Sequence, residues 1–303
     1  MKLSFSTCWN SWRHPDGRAM VEEILSLGFD SLELSHGIRS SQLEGVLLAR
    51  ERRKFRVSSI HNFLPMPVEV PTDSPDCYEF TSHRAKDRER ALRLTLSTID
   101  WAEKLGAPFV IVHTGRIRSL HLTAPLRKMV EKGKLHSREF VKQKLEAVRA
   151  RERASGVQNA RVLEMLQEAV AHAGKRGVKL GIENREYYEA VPSERDFPDF
   201  LKRLDSAHSG YWHDFGHAQI KHNLGLIDHA QHLERMAPVL LGCHVHDTSP
   251  PFRDHRPPFT GGTPFDQLVP LLPRNCATVL EMSPRTEAAD IVKAAREWNE
   301  KFN

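Results

Sequence analysis

Four short apolar runs in the second half of the chain each end on a carboxylate or an imidazole. The terminal residues are Glu183, Asp214, His246 and Glu281. If these side chains meet, their three carboxylates repel one another at neutral pH unless a cation offsets the charge. We therefore predict that the four residues hold a divalent metal ion. The set contains no thiolate, which favours Mn²⁺, Co²⁺, Mg²⁺ or Zn²⁺.

Two earlier apolar runs have the same form and end on histidines, His61 and His113. A lone histidine at the end of a strand is more often hydrogen-bonded than metal-bound, so we assign both to substrate binding. His217 follows Asp214 by three residues across a predicted turn, so both side chains can face the same site. We assign His217 to substrate binding as well.

Further polar candidates lie near the third ligand. Arg253 is predicted to bind substrate oxygens, and the adjacent Asp254 and His255 are candidates for a further metal ion or for the layer around the first. His244 precedes His246 by two residues, so in a strand it points to the same side but one layer deeper. We interpret His244 as a core residue or an outer partner rather than a ligand.

The chain alternates strand-like apolar runs with helix-like segments. The runs cover residues 2–8, 30–35, 56–61, 108–113, 178–183, 210–214, 239–246 and 278–282. Eight parallel strands alternating with helices favour a closed barrel, in which all carboxyl ends surround one mouth. We therefore predict an α/β fold, a (β/α)8 TIM barrel forming a single domain over residues 1–303. The candidate metal site should lie at its mouth.

Three connecting segments are expected to matter for the site. Long loops at 62–76 and 247–262 follow the third and seventh strands and should border the mouth. The connection after the sixth strand predicts a helix near 223–236. The fourth strand is followed by a long helical insertion that contains the basic stretch 116–153.

The basic stretch raises the question of nucleic-acid binding. It holds twelve Lys and Arg against four Glu, a local charge of +8, whereas the whole chain carries +5. The remainder is therefore at 5 − 8 = −3. Because the Glu residues are interspersed with the basic ones, we predict a solvated helix face rather than a nucleic-acid surface.

Cysteine usage and hydropathy bear on location. The four cysteines have no closely spaced pairs, which is typical of reduced thiols. The chain has no apolar run long enough for a membrane span and no secretory signal pattern at its start. We therefore expect a cytoplasmic protein that acts on a small molecule without a membrane partner. A homo-oligomer is left open.

At IENR, HDFGHA, HVHD and VLEMSP the chain resembles the xylose isomerase-like TIM barrels. That superfamily includes sugar isomerases, ketose 3-epimerases and the endonuclease IV type of AP endonuclease. The resemblance implies a divalent metal held by Glu183, Asp214, His246 and Glu281, with His217 near the substrate. In the epimerase branch the two glutamates also act as acid and base on a carbon next to a carbonyl.

We accordingly expect an isomerase or epimerase for a small sugar or hydroxy-keto compound in carbohydrate metabolism. A metal ion would stabilise an enediolate while Glu183 and Glu281 exchange protons with the substrate. A zinc-dependent AP endonuclease is the alternative, and the resemblance to that branch implies a zinc cluster with potential ligands His61, His113, Glu183, Asp214, His217, His246 and Glu281. That branch also expects an Asp and a His separated by one residue. Here Asp254 and His255 are adjacent. A second alternative is a metal-binding barrel without catalysis.

Overall fold

Short apolar runs form a ring of parallel strands in the computed structural model, which describes residues 2–71 and 73–303. The strands are β1 Leu3–Ser6, β2 Ser31–Leu34, β3 Arg56–His61, β4 Phe109–Val112, β5 Lys179–Glu183, β6 Ser209–Asp214, β7 Leu240–Val245, β8 Asp247–Ser249, β9 Arg253–Arg256 and β10 Ala277–Leu280. Eight of them close the ring in the order β1, β10, β7, β6, β5, β4, β3, β2, and every pairing is parallel. The predicted (β/α)8 barrel is confirmed.

Helices fill the connections between the ring strands. They are α1 Gly17–Ser26, α2 Ser40–Arg52, α3 Ala85–Leu105, α4 Thr123–Glu131, α5 Arg138–Lys175, α6 Phe197–Lys202, α7 Phe215–Asn223, α8 His229–Met236, α9 Phe265–Leu268 and α10 Ala288–Phe302. Within residues 2–71 and 73–303, no helix has the length and apolar character needed to cross a bilayer.

The connection after β6 differs from the single helix predicted near 223–236, because the structure has two helices there. The carboxylate of Asp214 accepts a hydrogen bond from the backbone N–H of His217 at 2.7 Å and begins α7 at once. Asp228 caps α8 in the same way through the N–H of Gln231. Aspartate at the N-cap is a strong helix start. His217 therefore lies in the first turn of a helix rather than in a loop.

The segment 247–262 was predicted to be a loop, but it contains an antiparallel hairpin of β8 and β9. Its strands are short and polar, and the turn between them holds Pro250 and Pro251, so the sequence lacks the apolar alternation that marks a strand. The hairpin folds back on the mouth, where the backbone N–H of His255 donates to Nδ1 of His246 at 2.9 Å.

The predicted helical insertion after β4 is present, and α5 alone has 38 residues. Lys142 and Arg149 are exposed, which agrees with a solvated face. Arg151 is an exception because it is buried, donates to the carbonyl of Tyr188 at 2.9 Å and pairs with Asp196 at 2.7 Å. A buried guanidinium is tolerated when its donors are paired. Through Arg151, α5 holds the loop that follows β5.

The interior of the ring is filled by Trp212 of β6, which packs with Ile111 and Val279 and is fully buried. The indole needs space on the neighbouring strands, and glycine supplies that space at Gly181 of β5 and Gly242 of β7. A Cβ at Gly242 would overlap the ring of Trp212 and would also approach the carbonyl oxygen of Ala277 at 2.9 Å. This layer forms the floor beneath the mouth.

Gly242→Ala is therefore expected to lower the free energy of unfolding by about 1–3 kcal/mol, because an overpacked core must shift side chains or backbone. Gly156→Ala is the matched control, since Gly156 lies on α5 with open space around its Cβ position. That substitution should stabilise by up to about 1 kcal/mol through helix propensity alone. Urea unfolding of both variants measures the difference, and equal effects would contradict the packing argument.

Candidate metal centre

The four residues predicted to bind metal lie on neighbouring strands of the ring. Glu183 and Asp214 are the last residues of β5 and β6, and His246 and Glu281 directly follow β7 and β10. These four strands are adjacent in the barrel, and all four side chains are buried. The carboxyl ends of the strands thus bring the predicted set to one mouth.

The imidazole of His244 lies among the three carboxylates. Its Nδ1 atom is 3.3 Å from Glu281 Oε2, 3.5 Å from Glu183 Oε1 and 3.9 Å from Asp214 Oδ2. On its other side, Nε2 is 3.1 Å from Glu33 Oε2 on β2. His244 therefore sits deeper than His246, as the strand spacing predicts, yet it touches the carboxylates directly.

His246 approaches the carboxylates from the side. Its Nε2 atom is 2.9 Å from Asp214 Oδ2. Its ring stacks on that of His255 with centroids 4.1 Å apart and planes inclined by 13°. The ligand-type atoms of His246, His255 and Glu281 all lie within 4.8 Å of one another. The hairpin thus places His255 over the third predicted ligand.

The charges of these groups are strongly coupled. Burial by itself raises the pKa of Glu281, but His244 and His255 outweigh burial and hold it at about 2. Burial likewise opposes ionisation of Glu183, yet the imidazoles around it, with which it forms hydrogen bonds and charge interactions, hold its pKa well below the usual range. Both glutamates are therefore ionised at neutral pH and can accept a proton.

The donor set fits a bound cation. Nδ1 of His244 is buried and has no hydrogen-bond partner among the described residues. Burial opposes protonation of His244, but the carboxylates of Glu281, Glu33 and Glu183 outweigh burial and hold its pKa well above the usual range, so these carboxylates surround a position that favours positive charge. Three carboxylates and an imidazole suit Mn²⁺, Co²⁺, Mg²⁺ or Zn²⁺. His244 thereby joins His246 as an imidazole that could hold the ion.

His217 is oriented by the backbone and by two acids. Its Nδ1 lies 3.0 Å from the carbonyl oxygen of Asn184, and its Nε2 lies 3.5 Å from Glu186 Oε2. Burial lowers the pKa of His217, but the carboxylates of Asp214 and Glu186 outweigh burial and raise it to about 10. A protonated His217 at the edge of the centre can donate to a substrate oxygen.

His61 and His113 form a second group with Glu183. Nε2 of His113 is 3.0 Å from Glu183 Oε2, and Nε2 of His61 is 3.3 Å from the same oxygen. The guanidinium of Arg185 donates to Nε2 of His113 at 2.6 Å. Arg185 also pairs with Asp76 at 3.1 Å. Both histidines predicted to bind substrate therefore adjoin the centre, and His113 is engaged by Arg185.

The remaining predicted residues lie on the hairpin. Ligand-type atoms of Asp254, His255 and His217 lie within 4.8 Å of one another. Arg253 begins β9, is exposed and forms no ion pair with another described residue. The structure therefore groups Asp254 with the histidines of the mouth, whereas it does not bring Arg253 against the carboxylates.

The sequence interpretation missed several polar side chains of the site. They are Glu33, Asp76, Arg185 and Glu186. Glu33 has a readable signal, because an acid between two leucines of a ring strand faces the barrel interior. Arg185 follows Glu183 by two residues, and in the structure it pairs with Asp76 and Glu186.

Asn184, in the sequence IENR, positions the second carboxylate. Its side-chain oxygen accepts from the backbone N–H of Asp214 at 2.7 Å, and its amide donates to the carbonyl of Asp214 at 3.1 Å. The same oxygen accepts from the hydroxyl of Tyr211 at 2.9 Å. Asn184 thereby ties the ends of β5 and β6 together, which fixes the spacing of Glu183 and Asp214.

Comparison with known families gives one match that spans most of the chain. Residues 21–302 match the family model described as xylose isomerase-like TIM barrel. The chain belongs to the xylose isomerase-like TIM barrel family. The resemblance at IENR, HDFGHA, HVHD and VLEMSP is thereby confirmed at the level of the family. A search of curated proteins finds no match.

Solved structures with the same fold include several sugar epimerases. A D-tagatose 3-epimerase-like protein is 18% identical, with a TM-score of 0.70, and the match covers 99% of this chain and 97% of that one. The 3-keto-D-glucoside 4-epimerase of E. coli is 15% identical, with a TM-score of 0.70 and 99% of both chains covered. A putative xylose isomerase from Rhodospirillum rubrum is 14% identical, with a TM-score of 0.70 over 100% of both chains. At these identities the likeness shows the fold.

Proposed function

We propose that this protein is a divalent-metal-dependent isomerase or epimerase of a small sugar or hydroxy-keto compound. The observation that carries the proposal is the meeting of Glu183, Asp214 and Glu281 around the unpartnered Nδ1 of His244. The proposed ligands are these three carboxylates with the imidazole of His246, and His244 lies beneath them. The sugar epimerases that share the fold support the choice of reaction.

The chemistry needs a base, an acid and a means to stabilise negative charge. When bound, a divalent cation would stabilise the charge that develops on the carbonyl oxygen as the adjacent carbon loses its proton. Glu183 or Glu281 accepts that proton, and the electron pair moves towards the carbonyl oxygen to give an enediolate. The other glutamate takes up a proton from solvent and delivers it to the carbon, and the electron pair on the oxygen re-forms the carbonyl bond.

The face of protonation decides the product. Protonation of the same carbon from the opposite face inverts that carbon, which is epimerisation. Transfer to the neighbouring carbon on the same face moves the carbonyl, which is isomerisation. His217, beside Glu186 at the edge of the centre, is the proposed donor to a substrate oxygen and orients the reacting carbon.

The charge around the mouth favours an uncharged polyol over a phosphodiester. Besides the three carboxylates of the centre, Asp76 and Glu186 adjoin the mouth, and Arg185 is the guanidinium among them. A site rich in carboxylates repels a polyanion. Hydroxyl groups of a sugar, in contrast, can donate to carboxylates and accept from His217.

The test is an assay panel on the purified, metal-loaded protein in D₂O. The panel holds ketoses, hydroxypyruvate, inosose-type compounds and an oligonucleotide with one abasic site. We expect conversion of at least one carbonyl compound with deuterium incorporated at the carbon next to the carbonyl. Both conversion and exchange should stop when the metal is removed with a chelator.

Two results would contradict the proposal. Incision of the abasic oligonucleotide without turnover of any carbonyl compound would assign the centre to phosphodiester hydrolysis. Turnover of a sugar without any deuterium incorporation would exclude a proton exchanged with solvent through the two glutamates, and with it the proposed acid and base roles.

A further inference from the structure

We propose that Arg185 takes the place of a second cation beside the metal centre and thereby limits the centre to one ion. This inference rests on the proposed function, because it concerns how many ions the same mouth accepts. It assigns a latent second metal site to His61, His113 and Glu183, and it makes Arg185 the residue that closes that site.

The latent site has the form of a metal site. Nε2 of His61 and Nε2 of His113 are 3.3 Å apart, and both face Oε2 of Glu183 at 3.3 Å and 3.0 Å. The ligand-type atoms of the three residues lie within 4.8 Å of one another, and all three residues are buried. Two imidazoles and a carboxylate are a common set of protein ligands for Zn²⁺.

The outer nitrogens of the two rings are oriented as in metal-binding histidines. Nδ1 of His113 is 3.1 Å from Asp76 Oδ1, and Nδ1 of His61 is 3.0 Å from the carbonyl oxygen of Asn62. Donation from Nδ1 leaves a lone pair on Nε2 of each neutral ring, which points inward. Three electron-rich atoms then face one another and need a positive charge.

Arg185 supplies that charge. It donates to Nε2 of His113 at 2.6 Å and to Asp76 Oδ2 at 3.1 Å, so one guanidinium engages both His113 and the acid that orients it. The single lone pair of Nε2 cannot accept this hydrogen bond and also bind an ion. Arginine remains protonated in proteins, so the charge is permanent and repels a second cation.

Glu183 connects the two positions. Oε2 faces His61 and His113, whereas Oε1 faces Nδ1 of His244 at 3.5 Å and the metal centre. With Arg185 in place, Oε1 remains for one ion. Without it, Glu183 could bridge two ions through its two oxygens, in the way that paired metal sites share a carboxylate.

The test counts bound ions. Metal-free wild-type protein and Arg185→Gln are loaded with Zn²⁺, freed of excess metal by gel filtration and analysed for zinc per chain. We expect one ion in the wild type and two in Arg185→Gln, because glutamine still hydrogen-bonds Asp76 but lacks the charge. Co²⁺ titration followed by visible absorption gives a second readout. The absorption should stop rising at one equivalent of Co²⁺ in the wild type and at two equivalents in Arg185→Gln.

Three further variants make the result specific. Arg185→Lys keeps a positive charge, so this variant should still bind one ion. Arg185→Met is a second neutral substitution, and this variant should bind two ions. His113→Gln in the Arg185→Gln background removes a ligand of the latent site and should return the count to one. Circular dichroism and thermal unfolding confirm that each variant is folded.

The outcomes separate the two proposals. A wild-type chain that binds no ion would contradict the proposed function itself. Two ions in the wild type, or a single ion in both folded neutral variants, would contradict the role of Arg185 while leaving the proposed function standing.

Discussion

Glu281→Gln is expected to reduce turnover by at least about 100-fold and to deplete the bound metal, because one substitution removes both a proposed ligand and a proton carrier. Glutamine keeps nearly the same shape but has neither the charge nor the proton affinity of the carboxylate. Glu183→Gln should have the same double effect, since Glu183 occupies the equivalent place at the end of β5. Metal analysis and initial rates on the same preparations measure the two effects separately.

The control for both variants is Glu234→Gln, an exposed glutamate on α8. It removes the same charge from the chain and should change neither metal content nor turnover. Unchanged metal content in both Glu183→Gln and Glu281→Gln would rule out the centre as proposed. The comparison therefore tests the site rather than the net charge of the protein.

Acid is expected to destabilise the fold because several histidines are buried in neutral form. Burial lowers the pKa of His229 to about 3 and that of His232 to about 4, and it holds the pKa of His213 well below its usual range. His213 contacts His229 at 3.0 Å, and the hydroxyl of Tyr211 contacts both His213 and His232 at 3.0 Å. All four of these side chains are buried.

The sign of the effect follows from proton binding. Below the unfolded pKa of about 6.5, these histidines bind protons in the unfolded chain but stay neutral in the folded chain. Stability is therefore full above pH 6.5 and falls as the pH drops towards 4 for His232 and towards 3 for His229. At pH 5 each of these two histidines should lower the free energy of unfolding by about 2 kcal/mol.

Urea unfolding of the metal-free protein at pH 7.5, 6 and 5 measures this loss. His229→Gln and His232→Gln should each flatten the pH dependence by about 2 kcal/mol between pH 7.5 and 5, because glutamine does not titrate. His136→Gln serves as the control, since His136 is exposed. A slope that is the same in all three variants and the wild type would show that other groups control the acid response.

The ring strands could be predicted because each is a short apolar run, and six of the eight have a ligand-type residue at or just after their end. That pattern is local, and β3 and β6 were placed from it to within a residue. The meeting of Glu183, Asp214 and Glu281 followed from topology, since a closed ring brings all carboxyl ends together. The fold and the position of the mouth could therefore be predicted from local sequence patterns together with the topology of a closed ring.

What the sequence did not predict depends on distances between segments. The role of Arg185 requires Asp76 and His113, which lie 109 and 72 residues away along the chain. The central position of His244 depends on the depth of a side chain inside the ring, and strand periodicity gives its direction but not its contacts. The β8–β9 hairpin could not be predicted, because its polar, proline-containing sequence lacks the apolar alternation that indicates paired strands.

Closure of the ring and completion of the metal centre depend on the same strand. β10 joins β1 to β7, and Glu281 directly follows it near the end of the chain. During synthesis the earlier strands emerge first, so a nascent chain holds Glu183 and Asp214 long before it has the last carboxylate. A bound ion favours the state in which all four strands are in place. If the proposed centre binds a metal ion, metal uptake during refolding reports completion of the barrel, and a chelator present during refolding should slow or weaken the final docking of β10.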